Sequence, residues 1–277
     1  MHKIFKDYKD VAQHKLDGSF WEEATTEENR KKNRYGNVLP LKHTAVRLQS
    51  IKGKEGSSYI NANFLEGDVK QKRQPQKYIC SQAPLPSTFG DFWRMIWEQR
   101  VPVIVMLTNL IERNRVKAHS YWPMNIGERI KFGRFMVRLR RQDERGNSVT
   151  VRVFDVWKTD TTESEDDEDY DYDTPSDSDT QTESDYDTDY DSDESFSDLE
   201  AKWLAEQQEG EPDDAGPLTF AKRDRDRPSE GTHVRVVYQL HCTQWPDFGV
   251  PNSTEVMKTL LKEVDIRKKG LKDAICV

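Results

Sequence analysis

Asp247 lies in the run Trp245-Pro246-Asp247-Phe248-Gly249-Val250-Pro251. Pro246 fixes φ on one side of the carboxylate, and Gly249 allows almost any backbone angle on the other. Such a loop suits a proton donor that swings over a pocket. A donor of this kind protonates a leaving group, and its partner has to be a nucleophile. The cysteines are Cys80, Cys242 and Cys276, and the chain reaches Val277 without an evident nucleophile. No Cys-x-x-Cys spacing occurs, so neither a zinc centre nor a disulfide framework is expected, and no cofactor is called for. Unpaired thiols suit a reducing, cytoplasmic setting.

The acid loop needs elements to position it. Residues 234–243 alternate apolar and polar, which predicts a strand running into the loop. Asn252-Ser253-Thr254-Glu255 then opens a helix whose buried face is Val256, Leu260, Leu261 and Val264. Residues 272–277 read as the start of a further strand. Upstream, residues 57–64 and 77–82 read as short strands. Thr88 is a candidate cap for a helix with Asp91 in its first turn and an apolar face of Phe89, Phe92, Trp93, Ile96 and Trp97. Residues 101–107 predict a strand buried on both faces. Residues 134–141 and 149–157 alternate around a Gly146 turn, as a hairpin does. Ile4, Phe5, Tyr8, Val11 and Ala12 share a helical face, and residues 20–32 are polar and helical or irregular.

The chain has 277 residues, 42 basic and 50 acidic, for a net charge of −8. That average conceals two regions. Residues 160–214 hold 25 Asp/Glu and one Lys, so the remainder carries a net +16. The basic part suits anionic ligands. Residues 161–198 have almost no aliphatic side chains and are predicted to be disordered, because they cannot offset the entropy of ordering. The expected organisation is therefore a folded domain over 1–157 and 233–277, split by an acidic, mostly disordered insert over 158–232. Phe196, Leu199, Trp203 and Leu204 fall at helical spacing in the insert and read as a transient helix. Met1-His2-Lys3 opens no signal peptide, and the apolar run 101–107 is too short to span a bilayer. Any membrane attachment is left to segments outside the chain.

Five segments in order resemble the classical, cysteine-dependent protein tyrosine phosphatase domain. They are Lys32-Asn33-Arg34-Tyr35-Gly36-Asn37-Val38-Leu39-Pro40, Tyr59-Ile60-Asn61-Ala62-Asn63-Phe64, and Tyr78 through Thr88 followed by Asp91-Phe92-Trp93. Glu112 to Lys117 with Tyr121-Trp122-Pro123 is the fourth, and Trp245 to Pro251 the fifth. The resemblance covers residues 20–157 and 233–277. It implies an α/β (α+β) fold, a highly twisted mixed central sheet flanked by helices, with the C-terminal elements of the fold missing.

The same resemblance assigns roles. Asp247 is the general acid, then the base for water. Tyr35 lies against the phosphotyrosine ring and sets the pocket depth, and Asn37 holds the peptide backbone. Glu112 holds the phosphate-binding arginine by a bidentate pair. Lys117 approaches the acid loop, Trp245 and Pro246 are its hinge and brace, and Arg34 braces structure. Phe248 stands where the family usually has His, Lys42 where an acid is common, Ala45 where Arg is usual, and Ala83 where Gly is usual.

The family nucleophile is the cysteine of His-Cys-x5-Arg, and this sequence contains no Cys-x5-Arg. His241-Cys242 precedes the acid loop and reads as structural. Residues 274–277 resemble the apolar strand that leads into the family's cysteine loop. The chain is therefore expected to be a fragment, inactive alone.

Three functional readings stand. The first is a protein tyrosine phosphatase acting on phosphotyrosine-containing proteins, either cytosolic or the intracellular region of a receptor. The second is a phosphotyrosine-binding pseudophosphatase. The third is an acidic protein that binds basic partners through residues 160–214. Basic residues are scattered without an aromatic-interleaved motif, so nucleic-acid binding is not expected.

Overall fold

The computed structural model describes residues 18–66, 77–146, 148–159, 228, 231–246, 250–251, 253–268 and 275–276. The expected N-terminal helical face, the acidic insert with its amphipathic segment (apart from residues 158–159, 228 and 231–232), and Asp247 lie outside these residues. The described residues on either side of 161–227 belong to one compact unit.

Strands β1 (Ala45–Arg47), β2 (Tyr59–Glu66), β3 (Lys77–Ser81) and β4 (Val103–Met106) come first in the chain. A two-stranded ribbon follows, β5 (Ile111–Glu112) with β6 (Arg115–Val116). Then come β7 (Arg129–Phe132), β8 (Phe135–Arg145), β9 (Val149–Lys158), β10 (Arg235–Cys242) and β11 (Ile275–Cys276). Among the described residues, nine strands form one sheet in the order β1-β2-β3-β11-β4-β10-β9-β8-β7. β3, β11, β4 and β10 are parallel neighbours, and the outer pairs are antiparallel. Among the described residues, the α-helices are α1 (Glu27–Arg30), α2 (Phe89–Glu98) and α3 (Thr254–Lys268).

Strand periodicity divides the core. Ile104 and Met106 of β4 enter one apolar cluster, with Phe92, Trp93, Met95 and Ile96 of α2. Val103 and Val105 point the other way, into a cluster with Val256, Leu260 and Val264 of α3. β9 does the same: Phe154 and Val156 join the α2 cluster, Val149 and Val151 the α3 cluster. Both faces of β4 are covered, in keeping with its uninterrupted apolar run Val103-Ile104-Val105-Met106. Trp93 is wholly buried, and its indole N–H donates to the Tyr121 carbonyl at 2.8 Å.

Three details differ from expectation. Thr88 does not cap α2 with its side chain. Its Oγ1 instead bonds Leu85, accepting from that N–H at 2.9 Å and donating to its carbonyl at 3.1 Å, so it closes a 3-10 turn over Pro86–Thr88. Asp91 turns away from the helix backbone toward Lys32 and Arg94, at 2.9 and 3.2 Å. Leu261 is 56% exposed, whereas Glu263 is buried. Glu263 faces inward because Arg267 bonds it at 2.5 Å one turn on. Three short elements, β1, β5–β6 and β7, escaped the reading altogether.

Candidate active site

Three of the motif-bearing segments leave the carboxyl ends of parallel strands. β3 runs into Gln82-Ala83-Pro84, β4 into the segment with Glu112 and Lys117, and β10 into the segment with Trp245 and Pro246. β11 lies between β3 and β4 and points the same way. In open sheets of this kind, ligands bind beyond the carboxyl ends of the strands.

The Tyr35 segment joins this edge through side chains. Gln82 bonds both sides of the chain, donating to the Lys32 carbonyl at 2.8 Å and accepting from the Arg34 N–H at 2.9 Å. It substitutes for a strand neighbour and holds residues 32–34 beside β3. Arg34 donates from Nε to the Ala83 carbonyl and from Nη2 to the Pro84 carbonyl, both at 2.9 Å. Burial lowers its pKa, with Tyr35 acting in the opposite sense.

Beneath, Asn33 Oδ1 accepts from Tyr59 Oη at 2.5 Å and from Asn61 Nδ2 at 3.0 Å. Asn61 Nδ2 also donates to the Val38 carbonyl at 2.8 Å. Burial pushes the Tyr59 phenol up to about 12, against the lowering effects of Asn33 and Arg47. Lys32 reaches down to the Gly56 carbonyl at 2.8 Å and to Asp91 at 2.9 Å. Gly56 has φ +65°, and a Cβ there would stand 2.7 Å from Asn29 Oδ1, so only glycine fits this close approach. With its backbone pinned on both sides, the segment still leaves the Tyr35 ring 46% exposed and Asn37 exposed.

Glu112 sits on the β5–β6 ribbon. Arg113 and Asn114 both have positive φ, 50° and 59°, which makes a tight two-residue hairpin. Asn109 Nδ2 donates to Glu112 Oε1 at 2.9 Å. The Lys117 N–H donates to the Leu110 carbonyl at 2.8 Å and closes the base of the ribbon. Trp245 is half-buried and packs on the α3 cluster, while Pro246 is exposed. Cys242 is fully buried in that same cluster, among Val103, Val149, Val151 and Leu240, a place suited to packing.

Arg34, Tyr35 and Asn37 thus share one braced segment, and Glu112 and Lys117 share another. Sequence reasoning missed Gln82 and His119, which link the elements. His119, two residues beyond Lys117, meets Arg34 Nη2 through Nδ1 at 3.2 Å. It also missed the network under β10. Gln239 is wholly buried and donates to Tyr121 Oη at 3.0 Å. Arg152 Nη1 bonds Gln239 Oε1 at 3.0 Å and His241 Nδ1 at 3.4 Å. A glutamine and a histidine in an inward-facing strand are a readable sign, because buried polar groups need partners.

The chain matches the family model described as Protein-tyrosine phosphatase over residues 29–191 and 195–277. It belongs to the protein-tyrosine phosphatase family. It is similar to the bovine (Bos taurus) receptor-type tyrosine-protein phosphatase F, 46% identical over 143 residues, covering 52% of this chain and 7% of that protein. It is also similar to tyrosine-protein phosphatase 1 of Dictyostelium discoideum, 44% identical over 127 residues, covering 46% of this chain and 23% of that protein. The matches therefore span a small part of these relatives. The catalytic domain of human protein tyrosine phosphatase non-receptor type 18 shares the fold, with a TM-score of 0.60 at 24% identity. That match covers 93% of this chain and 64% of the solved one. Like that domain, the chain has a mixed α/β fold built on a central mixed sheet.

Proposed function

We propose that this chain supplies the front part of a catalytic unit that hydrolyses phosphotyrosine in proteins. In the first step a cysteine thiolate from outside this sequence attacks phosphorus. The P–O bond to the tyrosine breaks, and Asp247 gives its proton to the leaving phenolic oxygen. In the second step the Asp247 carboxylate takes a proton from water as that water attacks the cysteinyl phosphate, releasing phosphate and restoring thiolate and acid. Tyr35 lies along the substrate ring and Asn37 binds the peptide backbone. Glu112 orients the phosphate-binding arginine, Lys117 approaches the acid loop, and Trp245 and Pro246 carry that loop.

The observation that supports this reading is convergence. The segments bearing Arg34, Tyr35, Glu112, Lys117 and Trp245 belong to one edge of the sheet, where the parallel strands end. The setting proposed is intracellular. The net −24 of residues 160–214 further favours basic proteins as partners of that segment.

The test is to express the chain with its natural downstream sequence and assay a phosphotyrosine peptide beside the 277-residue chain. Turnover by the extended protein, with none by the chain alone, is expected. An extension that contains Cys-x5-Arg yet turns over nothing overturns the proposal. An extension that lacks the cysteine or the arginine favours phosphotyrosine binding without hydrolysis.

A further inference from the structure

His119 lies where two of the braced segments meet. It follows the β5–β6 ribbon and precedes the buried pair Tyr121 and Trp122. Its Nδ1 stands 3.2 Å from Arg34 Nη2. A guanidinium has donors only and stays protonated, so Nδ1 must be the acceptor and the ring proton must sit on Nε2. The imidazole that fits here is neutral.

The contact has consequences for Arg34. The same Nη2 that meets His119 also donates to the Pro84 carbonyl, and Nε donates to the Ala83 carbonyl. His119 is thus the third acceptor around one guanidinium, and its placement selects the Arg34 rotamer that reaches both carbonyls. Arg34 is adjacent to Tyr35, which is 46% exposed. An exposed ring has few contacts of its own to fix it, so its backbone must be held from beneath.

We propose that His119 is a positioning residue for Tyr35: as a neutral imidazole it holds Arg34 on the Ala83 and Pro84 carbonyls, and on protonation it repels Arg34 and loosens residues 34–38. Protonation puts a proton on the only ring nitrogen that accepts from Arg34 and sets two cations against each other at hydrogen-bond distance. Among the described residues, Arg34 is the charged group that acts on His119. Desolvation by burial first, then Arg34, lowers the His119 pKa below its ordinary value of 6.5. The loosening accordingly begins below pH 6.5. The meaning of this device for substrate rests on the function proposed above, since there Tyr35 lies along the phosphotyrosine ring. The device itself does not.

The experiment is amide hydrogen exchange of residues 34–38 in the full 277-residue chain from pH 7.5 to 5, corrected for intrinsic rates. It is run on wild type, His119→Gln and His119→Ala. The Arg34 N–H, held by Gln82, and the Val38 N–H, held by the Tyr35 carbonyl, are the reporters. Wild type is expected to lose protection by up to about tenfold as pH falls, the loss of one charged hydrogen bond. Gln keeps an acceptor oxygen but does not titrate, so His119→Gln is expected to stay protected and flat across the range. His119→Ala is expected to exchange faster at every pH. A flat wild-type profile, or an identical step in His119→Gln, overturns the proposal. Neither outcome depends on phosphatase activity, so failure here leaves the catalytic reading untouched, and the reverse also holds.

Discussion

His241 donates from Nε2 to the carbonyl oxygen of Thr108 at 3.1 Å. This bond ties the end of β10, four residues before Trp245, to Thr108, two residues beyond β4 and four before Glu112. Nδ1 faces Arg152 Nη1 at 3.4 Å, so the imidazole is held neutral with its proton on Nε2. Burial, then Arg152, lowers its pKa to about 4, against the raising effect of the Thr108 carbonyl.

A dependence of stability on pH follows. The unfolded state protonates His241 near its ordinary 6.5, and the folded state resists until about 4. Between these values the unfolded state binds more protons, so stability is full above pH 6.5 and falls as pH drops toward 4. The loss is on the order of 2–3 kcal/mol by the usual value per pKa unit. Denaturant titrations at pH 7.5, 6, 5 and 4.5 should show it. His241→Gln, which keeps a donor for Thr108 but cannot titrate, should lose less over the same range. Equal losses in the two proteins would assign the acid sensitivity elsewhere.

Asp155 sits in β9, is 1% exposed, and is gripped by Arg138 and Arg140 of β8. The two arginines are part-exposed, so the partners are unequal. Replacing Asp155 by Ala leaves two cations that water can solvate, and should cost about 1–2 kcal/mol. Replacing both arginines by Ala leaves a carboxylate stranded in the core, and should cost about 3–5 kcal/mol. Thermal or urea unfolding of the two variants tests the asymmetry, and the reverse order would mean that Asp155 is solvated.

The helix before the C-terminus shows what a sequence can and cannot disclose. Val256, Leu260 and Val264 recur every four residues and are buried, as their spacing implies. Leu261 is apolar too, but it stands about 100° around the helix from Leu260 and faces outward. Glu263 takes the inward place because Arg267 and Arg145 neutralise it, at 2.5 and 3.7 Å. A hydrophobic count cannot anticipate a buried ion pair. The long strands β8, β9 and β10 were legible because alternation persists over eight or more residues. β1, β5 and β6 are two or three residues long and carry no period. In the site, Tyr35 and Glu112 came from motif order, while Gln82 and His119 act only through partners distant in sequence, 37 residues apart from each other and further from residues 32–34.

The same helix gives a paired prediction. Leu260→Ala should cost about 2–5 kcal/mol, because it opens a cavity between α3 and the sheet. Leu261→Ala should stay within about 0.5 kcal/mol, as exposed positions do. Urea midpoints of the two variants measure the contrast. A large loss at Leu261 would show that something in solution covers that face.

The last prediction concerns the acid itself. Trp245 packs on the α3 cluster and Pro246, which precedes Asp247 in the sequence, is exposed. In the catalytic unit proposed above, Asp247→Asn removes the transferable proton with little change in size. The rate of cysteinyl-phosphate formation from a phosphotyrosine peptide should fall about 10²–10⁴-fold. Substrate affinity should change little, because the loss falls on the transition state alone. A substrate whose leaving group needs no proton, such as an acidic nitrophenol ester, should be much less affected. If Asp247→Asn slows both substrates equally, the residue holds the loop in place and another group supplies the proton.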